Sequence, residues 1–533
     1  MKKTLKGLSA ILMTSVLAVS ASAATVGSLT ASAASIAVNS TDGGSYTAYP
    51  ILTGSVNGAS LGNVNYATGF SLTSALLTEL KGDSTFGSGT SNAFNDLSTS
   101  SPAAAFAADI AKLSTTAQQE RFAKIIGKYT TTGGLTVGTD TSDIAEGYYV
   151  IKGTNSKGTS LNLLNVVGTV EISGKIDSPS SEKTVDDKND SDSAAALNAT
   201  GQKSADYDIG DNVPYVLTFT LPSDYSRYEK YPITFTDTMS AGLTYNNDAK
   251  IYYGTTDASG DAITLTGPTA VTDGNQYTYQ VDLKALQATE AAKPAADQDA
   301  NIMGISNGTV IRIEYTATLN DSAVIGGAGN PNTYSVSYSS DPNFIPTTEN
   351  PNPPEDKTTT EDTNVVFTYN LVINKTDGTN ALTGADFTLF KWIPSATGTD
   401  EYNSAKGTWT PIDRKDGTSA GSTFTFKGLD DGIYKLSETT TPKGYNTIED
   451  KIFTISATHS ATAITNLEAS GGLTIDGNEA NGLLTAAIEN QKGVTLPGTG
   501  GMGTTIFYIV GGLMISGALV LLIVRKRMSI KEK

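Results

Sequence analysis

The stretch Leu371-Val372-Ile373-Asn374-Lys375 decides how the last third of this 533-residue chain folds. Apolar and polar residues alternate along it, and a period of two is typical of a strand with one buried face. By this alternation Lys375 lies on the same face as Leu371 and Ile373. The sequence therefore predicts a strand that directs a lysine toward an apolar core.

Two later segments direct polar side chains inward in the same way. Glu438 follows Tyr434 and Leu436 at a spacing of two residues, and Asn490 follows Ile488. An unpaired lysine or carboxylate in a core costs several kcal/mol, so such groups are expected to pair with one another. We therefore expect the lysine, the glutamate and the asparagine to meet inside one domain.

A lysine, a carboxylic acid and an asparagine in one apolar pocket can react. Burial lowers the pKa of a lysine and raises the pKa of a carboxyl group, which leaves a neutral amine beside a protonated acid. The acid then polarises the asparagine carbonyl, the amine attacks it and ammonia leaves. The pattern predicts an intramolecular isopeptide bond from Lys375 to Asn490, with Glu438 as proton relay.

The middle of the chain repeats this arrangement. Lys183 shares a predicted strand face with Val185, Asp237 follows Phe235 at a spacing of two, and Asn332 precedes Tyr334 at the same spacing. Asn330 has the same parity as Asn332 and is an alternative to it. A second set of inward lysine, acid and asparagine side chains is therefore expected.

Composition narrows the class of protein. The chain has no cysteine, which excludes disulfides, thiolate metal sites and a cysteine nucleophile. Its net charge of −18 argues against a nucleic-acid partner. The single histidine, His459, lies in a polar stretch and is predicted to be a plain surface residue, so neither a catalytic triad nor a histidine metal site is expected. We expect no cofactor and no metal.

Both ends have the features of targeting segments. Residues 1–34 are predicted to be a signal peptide, because lysines precede a short apolar run and small residues follow it. Cleavage after Ala23 and cleavage after Ala33 both remain open. At the other end, the uncharged segment 506–524 is long enough to span a membrane, and the basic residues 525–527 follow it.

Directly before that apolar segment lies the pentapeptide Leu496-Pro497-Gly498-Thr499-Gly500. With the apolar helix and the basic tail, it resembles the cell-wall sorting signal of Gram-positive surface proteins, here 491–533. The resemblance implies that a sortase cleaves between Thr499 and Gly500, holds Thr499 as a thioester and transfers it to an amine. It also implies a secreted protein of the cell wall, whose precursor is held transiently in the membrane.

Composition divides the remainder into three domains, predicted at 35–177, 178–364 and 365–490. Prolines between 342 and 354 favour a loop or an extended spacer. The first domain is expected to mix helix and strand, because apolar residues repeat with helical period up to Tyr129 behind a capping pattern at Thr115. The fold class is therefore mostly β, with tandem immunoglobulin-like sandwiches after a mixed α/β domain and a C-terminal transmembrane helix.

The last domain resembles a CnaB-type isopeptide domain through 382–389 (LTGADFTL), 434–439 (YKLSET) and Asn490. The middle domain resembles the CnaA-type domain of fimbrial subunits, and the segment 45–49 (SYTAY) resembles the start of such subunits. For the middle domain the resemblance implies the following roles: Lys183 as amine, Asp237 as proton relay and Asn332 as acyl partner.

In backbone pilins a lysine near the end of the first domain, commonly after Tyr-Pro, attacks the thioester of the incoming subunit. Lys175 occupies that place here, although Ser-Gly replaces Tyr-Pro. The resemblance thus implies the shaft subunit of a pilus, linked from Thr499 to Lys175, that supports adhesion. Its expected partners are a sortase, further copies of the chain, minor pilins and a peptidoglycan precursor.

The alternative is a monomeric wall-anchored adhesin built from the same domains. An enzyme is not expected, because the only predicted chemistry is the single-turnover closure of the two isopeptide bonds. Each bond is expected to link the first strand of its domain to the last.

Overall fold

The computed structural model describes residues 34–38, 44–57, 60–138, 141–155, 158–166, 169–172, 177–191, 199–254, 263–264, 269–271, 275–395, 406–494 and 503–529. Lys175 and the pentapeptide 496–500 lie outside the described residues. So does the predicted signal peptide, except its last residue, Ala34. That residue begins the first strand and is fully buried, so it is part of the folded domain.

The first domain combines two sheets with three helices. One sheet has the strand order β5-β1-β8, and the other has the order β3-β2-β6-β7 with β4 paired to β2. The elements are β1 Ala34–Val38, β2 Ser45–Asn57, β3 Ser60–Tyr66, α1 Ser74–Gly82, α2 Ala103–Ile110, α3 Thr116–Tyr129, β4 Leu135–Val137, β5 Thr141–Ile144, β6 Gly147–Asn155, β7 Gly158–Val166 and β8 Thr169–Ile172.

Helix α3 begins where the sequence predicts. The Thr115 hydroxyl accepts a hydrogen bond from the Gln118 backbone N–H, and the Gln118 side chain accepts one from the Thr115 N–H. This capping box satisfies two N–H groups that the helix itself leaves unpaired. The apolar face of α3, with Phe122 and Ile126, is buried in the core of the domain.

The middle domain is a sandwich of two seven-stranded sheets. The first middle sheet has the order β10-β9-β12-β19-β15-β16 with β14 on β19, and the second has the order β11-β22-β20-β13-β18-β17 with β21 on β20. The elements are β9 Ser180–Asp187, β10 Ala199–Gln202, β11 Ser204–Asp206, β12 Asn212–Thr220, β13 Pro232–Met239, β14 Leu243–Tyr245, β15 Lys250–Tyr253, β16 Ile263–Thr264, β17 Thr269–Val271, β18 Gln276–Asp282, α4 Leu283–Ala291, α5 Ala300–Met303, β19 Val310–Leu319, β20 Asn330–Tyr338, β21 Lys357–Thr358 and β22 Asp362–Phe367.

The C-terminal domain is a sandwich of two five-stranded sheets, with orders β26-β27-β23-β32-β31 and β25-β24-β28-β29-β30. Its strands are β23 Tyr369–Thr376, β24 Asp386–Pro394, β25 Gly407–Pro411, β26 Lys415–Asp416, β27 Thr423–Leu429, β28 Gly432–Thr440, β29 Lys451–Ser460, β30 Ala463–Gly471, β31 Ile475–Asn478 and β32 Leu483–Glu489. The predicted fold class, mostly β with tandem sandwiches, is confirmed.

Strand β22 crosses the boundary that composition predicts at 364/365. It pairs with β20 and β11 in the second middle sheet. Val366 packs in the core of the middle domain, whereas Val365 and Phe367 pack in the core of the C-terminal domain. Because side chains alternate along a strand, one strand contributes to both cores, and a composition shift cannot reveal this.

The proline-rich segment is a loop, not a spacer between the last two domains. Ile345 packs into the core of the first domain, and Pro353 is buried. Strands β21 and β22 then return the chain to the second middle sheet. The segment therefore lies folded against the first two domains.

Buried charges join the middle and C-terminal domains. Lys391 on β24 is 2% exposed and donates to Asp208 of the middle domain at 2.6 Å and to Asp430 at 2.9 Å. The ammonium group of Lys391 thus supplies the positive charge in the acidic cluster that also includes Asp190 and Asp211. A buried lysine paired with two carboxylates fixes one domain against the other.

The prediction that His459 is a plain surface residue is wrong. Its Nδ1 lies 2.8 Å from Ser204 Oγ and its Nε2 lies 3.1 Å from Asp206 Oδ1, both in the middle domain. Burial acts to lower the pKa of His459, but the hydrogen bond and charge of Asp206 raise it above its ordinary value. The polar stretch around this histidine faces a neighbouring domain, which local sequence does not show.

The last helix, α6 Gly503–Ser529, is separate from these cores. Its segment Ile506–Met528 is long and apolar enough to cross a membrane and has no buried residues. All the described hydrophobic cores lie between residues 34 and 488. A fragment covering 34–495 therefore keeps every core contact of the three domains.

Candidate isopeptide sites

The C-terminal site lies where the first and last strands of its sheet run side by side. Strands β23 and β32 are parallel neighbours, with Lys375 opposite Ile488. The backbone N–H of Asn490 continues the ladder by donating to Thr376 O at 3.1 Å. Lys375 and Asn490 are each 1% exposed, so the strand alternation predicts their orientation correctly.

The asparagine of this site is bound directly to the acid. Asn490 Nδ2 lies 2.9 Å from Glu438 Oε1 and 3.0 Å from Oε2, and it also donates to the Asn446 carbonyl at 2.9 Å. Glu438 Oε2 further accepts from the Ile448 N–H at 3.0 Å and from the Thr441 hydroxyl at 3.3 Å. Asn490 Oδ1 has no hydrogen-bond partner among the described residues.

The amine of this site is bound to the backbone. Lys375 Nζ donates to Thr376 O at 2.7 Å and to Ile488 O at 3.0 Å. Burial lowers the pKa of Lys375, and the nearby charge of Glu438 opposes this effect. A lowered pKa increases the fraction of neutral amine, which is the nucleophilic form.

The middle site is built across the two sheets of the sandwich. Lys183 comes from β9 in the first middle sheet, whereas Asp237 on β13 and Asn332 on β20 come from the second. Strands β13 and β20 are antiparallel neighbours, and Asn332 pairs with Met239, two residues after Asp237. Lys183 and Asn332 are fully buried.

The lysine of the middle site contacts the acid directly. Lys183 Nζ lies 3.0 Å from Asp237 Oδ1 and 2.9 Å from Oδ2. It also donates to the Tyr315 hydroxyl at 2.9 Å and lies over the Tyr215 ring, 4.9 Å from its centroid. Burial lowers the pKa of Lys183, and Asp237 opposes this effect through its charge and hydrogen bonds.

The asparagine of the middle site contacts the acid only through a tyrosine. Asn332 Nδ2 donates to the Tyr315 hydroxyl at 2.7 Å, and that hydroxyl donates to Asp237 Oδ2. Among the hydrogen bonds of the described residues, none joins Asp237 to Asn332. Asn332 Oδ1 has no hydrogen-bond partner there either.

Hydrogen bonds distinguish Asn332 from Asn330, the two alternatives for the asparagine of the middle site. Asn330 is also fully buried, but its amide is used by the backbone around it. Its Oδ1 accepts from the Val324 N–H at 2.8 Å, and its Nδ2 donates to the carbonyls of Val324 and Val366, each at 3.1 Å. Asn332, not Asn330, shares a hydroxyl with Lys183.

Tyr315 is the residue that the sequence analysis missed. It lies on β19, where Ile311, Ile313 and Ala317 also point inward. Strand alternation therefore places Tyr315 in the core, but it does not show which side chains from the opposite sheet meet it. Pairing across two sheets depends on how they pack, and the sequence of one strand does not contain that information.

Comparisons with known proteins agree with this architecture. Residues 369–469 match the prealbumin-like fold domain SpaA, and residues 488–529 match the LPXTG cell wall anchor motif. The trypsin-resistant surface T6 protein of Streptococcus pyogenes serotype M6 is 25% identical over 378 residues, covering 60% of this chain. The chain spans 65% of the length of that relative.

Two solved structures are also similar. The T6 backbone pilin of serotype M6 Streptococcus pyogenes has a TM-score of 0.49 at 20% identity, covering 87% of this chain and 98% of that one. The full-length major pilin SpaD of Corynebacterium diphtheriae has a TM-score of 0.41 at 16% identity, covering 86% and 98%.

The chain therefore contains a prealbumin-like SpaA domain and an LPXTG cell wall anchor motif, and it is similar in sequence to a streptococcal surface protein. The match to the anchor motif confirms the predicted sorting signal and the predicted localisation at the cell wall.

Proposed function

We propose that this chain is the shaft subunit of a covalent surface pilus whose two sandwiches each close one internal lysine–asparagine bond. The observation that carries the proposal is that each sandwich buries one lysine and one asparagine and brings an acid into direct contact with one of them. In a chain without cysteine, this arrangement offers a covalent crosslink that disulfides cannot supply.

In the C-terminal domain the neutral amine of Lys375 attacks Cγ of Asn490. The bond from Nζ to Cγ forms, the bond from Cγ to Nδ2 breaks, and ammonia leaves. One proton must move from Nζ to the departing nitrogen. Glu438 is placed for its delivery, because both of its oxygens contact Nδ2. The glutamate ends in its starting protonation state and is not consumed.

In the middle domain Lys183 and Asn332 react in the same way, but here the acid contacts the lysine amine instead of the asparagine amide. Asp237 contacts Nζ with both carboxylate oxygens, so it is placed to accept the proton that the attacking nitrogen loses. The rings of Tyr215 and Tyr315 exclude water around the amine. Water exclusion favours the neutral, nucleophilic form of the Lys183 amine.

The two bonds differ in which strands they join. Lys375 and Asn490 link the first strand of the C-terminal domain to the end of its last, as the sequence predicts. Asn332 is not on the last strand of the middle domain, because β21 and β22 follow it in the same sheet. The bond from Lys183 instead fastens the two middle sheets to each other.

The intact mass of a recombinant 34–495 fragment tests the internal bonds. We expect the wild-type fragment to be lighter than its sequence mass by two molecules of ammonia. Asp237→Ala and Glu438→Ala should each be lighter by one molecule only. Peptide mapping should assign the remaining crosslink to the unaltered domain. A wild-type mass equal to the sequence mass would exclude the proposal for both domains.

The proposed linkage between subunits joins Thr499 of one copy to Lys175 of the next through a sortase, and minor pilins and a peptidoglycan precursor are the further partners. We expect Lys175→Arg to abolish the ladder of polymers in cell-wall extracts. Lys188→Arg, a matched change of a partly exposed lysine in the middle domain, should leave it intact. An unchanged ladder in Lys175→Arg would move the linkage to another lysine, and a single band in wild type would favour the monomeric adhesin.

Deleting residues 496–500 tests the anchor separately. The deleted chain should still fold, since every described core lies before residue 490. It should be retained in the membrane or secreted instead of being bound to the wall. Cell fractionation with wild type as the control would measure this, and normal wall attachment would contradict the role given to Thr499.

A further inference from the structure

The hydroxyl of Tyr315 occupies a central position in the middle site. It accepts from Lys183 Nζ at 2.9 Å, accepts from Asn332 Nδ2 at 2.7 Å and donates to Asp237 Oδ2. All three residues of the proposed reaction therefore meet at one oxygen atom. Among the hydrogen bonds of the described residues, this oxygen is what connects the acid to the departing nitrogen.

The surrounding side chains hold the phenol ring in place. The Tyr215 ring is stacked on it, with centroids 5.3 Å apart and planes at 18°. The Tyr245 ring meets it edge-on, with centroids 5.7 Å apart. Burial raises the pKa of Tyr315 well above its ordinary value, and the charge of Asp237 adds to this effect. The hydroxyl therefore keeps its proton and can both donate and accept.

A cavity of about 40 Å³ is lined in part by Asp237, Tyr315, Tyr245 and Met239. A space of roughly 10–15 Å³ on this measure is enough for one water molecule. Ammonia is similar in size to water, so the cavity has room for the leaving group of the reaction.

We propose that Tyr315 is a catalytic residue of Lys183–Asn332 bond formation, carrying a proton from Asp237 to the departing amide nitrogen. This inference rests on the proposed function. As Nζ bonds to Cγ of Asn332, Nζ gives one proton to Asp237. The Tyr315 hydroxyl gives its proton to Nδ2 and takes one from Asp237. The bond from Cγ to Nδ2 breaks, ammonia leaves, and both the acid and the phenol end as they began.

The C-terminal site has no need of such a group, because Glu438 contacts Asn490 Nδ2 directly. Removing the hydroxyl of Tyr315 should therefore slow one bond and spare the other. Each molecule thus contains its own control. A general acid or base in position contributes roughly a hundredfold or more to a rate, which sets the size of the expected effect.

The experiment follows the intact mass of the 34–495 fragment over time after cell-free synthesis. We expect Tyr315→Phe to lose the ammonia of the C-terminal site at the wild-type rate and that of the middle site roughly a hundredfold more slowly. Tyr225→Phe removes a buried middle-domain hydroxyl that donates to Gln287 instead of contacting the reacting groups, and this variant should lose both ammonia molecules at the wild-type rate.

Incorporation of 3-fluorotyrosine at position 315 keeps the ring packing but lowers the phenol pKa. It should change the rate of the middle bond alone, because a more acidic phenol transfers its proton more readily, which a purely structural role would not do. Wild-type closure of the middle bond in Tyr315→Phe, or an unchanged rate with 3-fluorotyrosine, would overturn the inference while leaving the proposed function standing. If the wild-type fragment loses no ammonia, the proposed function itself is contradicted.

Discussion

The middle and C-terminal sites each contain a lysine, a carboxylic acid and an asparagine, but in opposite arrangements. In the middle site the acid contacts the lysine, and the asparagine reaches the acid through Tyr315. In the C-terminal site the acid contacts the asparagine, and the lysine donates to backbone carbonyls. The acid can therefore lie next to either the lysine nitrogen or the departing amide nitrogen, provided that another group completes the proton path between the two.

The arrangement follows from how each domain brings its strands together. Lys375 and Asn490 lie on adjacent parallel strands of one sheet, where backbone carbonyls are within reach of the lysine. Lys183 instead points into the core between the two sheets of a sandwich. Buried polar groups need partners, and there side chains provide them: Asp237 from the opposite sheet and Tyr315 from the same sheet as Lys183.

This difference predicts that removing Asp237 and removing Glu438 lower the free energy of unfolding by different amounts. Each bond closes a loop of more than a hundred residues, and the chain-entropy model gives about 4–5 kcal/mol for such a loop. Asp237→Ala should cost more than Glu438→Ala, because it also leaves Lys183 buried without its carboxylate, a loss of about 3–5 kcal/mol in comparable cases. Lys375 retains two carbonyl partners when Glu438 is removed.

Urea denaturation of the two variants of the 34–495 fragment would measure this ordering. Asp237→Asn is the matched control, since it keeps the shape of the side chain and removes its charge. Equal losses of unfolding free energy in Asp237→Ala and Glu438→Ala would contradict the difference between the sites.

A second comparison concerns the two asparagines of β20. Asn332→Ala should remove the middle bond and leave the fragment lighter by one ammonia only. Asn330→Ala should remain lighter by two, yet lose about 1–3 kcal/mol, because buried backbone groups of Val324 and Val366 lose their partner. Intact mass separates the two roles, and loss of crosslinking in Asn330→Ala would reverse the assignment.

Much of the C-terminal site follows from sequence because it is local to single strands. The alternation in β23 places Lys375 on the inward face, and the parity of β28 and β32 extends to half-buried Glu438 and to buried Asn490, which follows β32. The middle site follows less fully. Its three predicted residues do point inward, but Tyr315 becomes part of the site only because two sheets pack face to face.

Two predictions made from sequence fail for a similar reason, because they concern contacts between separate parts of the structure. The surface location expected for His459 and the boundary expected at 364/365 both fail where one domain meets another. Neither a polar stretch nor a composition shift shows which neighbour a segment contacts. Strand periodicity predicts orientation, whereas contacts between domains arise from the assembled surfaces.

The lowered pKa of Lys375 gives a smaller, pH-dependent effect. In Asn490→Ala this lysine stays unreacted, and its folded-state pKa lies below the unfolded value of about 10.4. The folded state then binds fewer protons, so stability should rise with pH up to that value, by at most about 1.4 kcal/mol per pH unit. Urea denaturation at pH 8.5 and pH 10.5, which bracket the range just below the unfolded value, would measure the slope.

The matched control for that slope is the double variant Asn490→Ala with Lys375→Met. It keeps the length of the side chain and cannot titrate, so the extra rise in stability should disappear. The crosslinked wild type should also lack the rise, because its Lys375 nitrogen has become an amide. An equal slope in all three proteins would show that the unreacted lysine is not desolvated.

The smallest expected effect is that of Thr441→Val. This variant removes a hydroxyl beside Glu438, so it can be compared with Tyr315→Phe, which removes the hydroxyl at the middle site. The Thr441 hydroxyl donates to Glu438 Oε2 at 3.3 Å and lies 2.7 Å from the Thr447 hydroxyl. Glu438 retains the Ile448 N–H and Asn490 without it, so Thr441→Val should cost about 1 kcal/mol or less. Both ammonia molecules should still be lost at the wild-type rate, in contrast to Tyr315→Phe. Slow closure of the C-terminal bond in Thr441→Val would mean that a hydroxyl completes the proton path in both domains, and the distinction between the two sites would then fail.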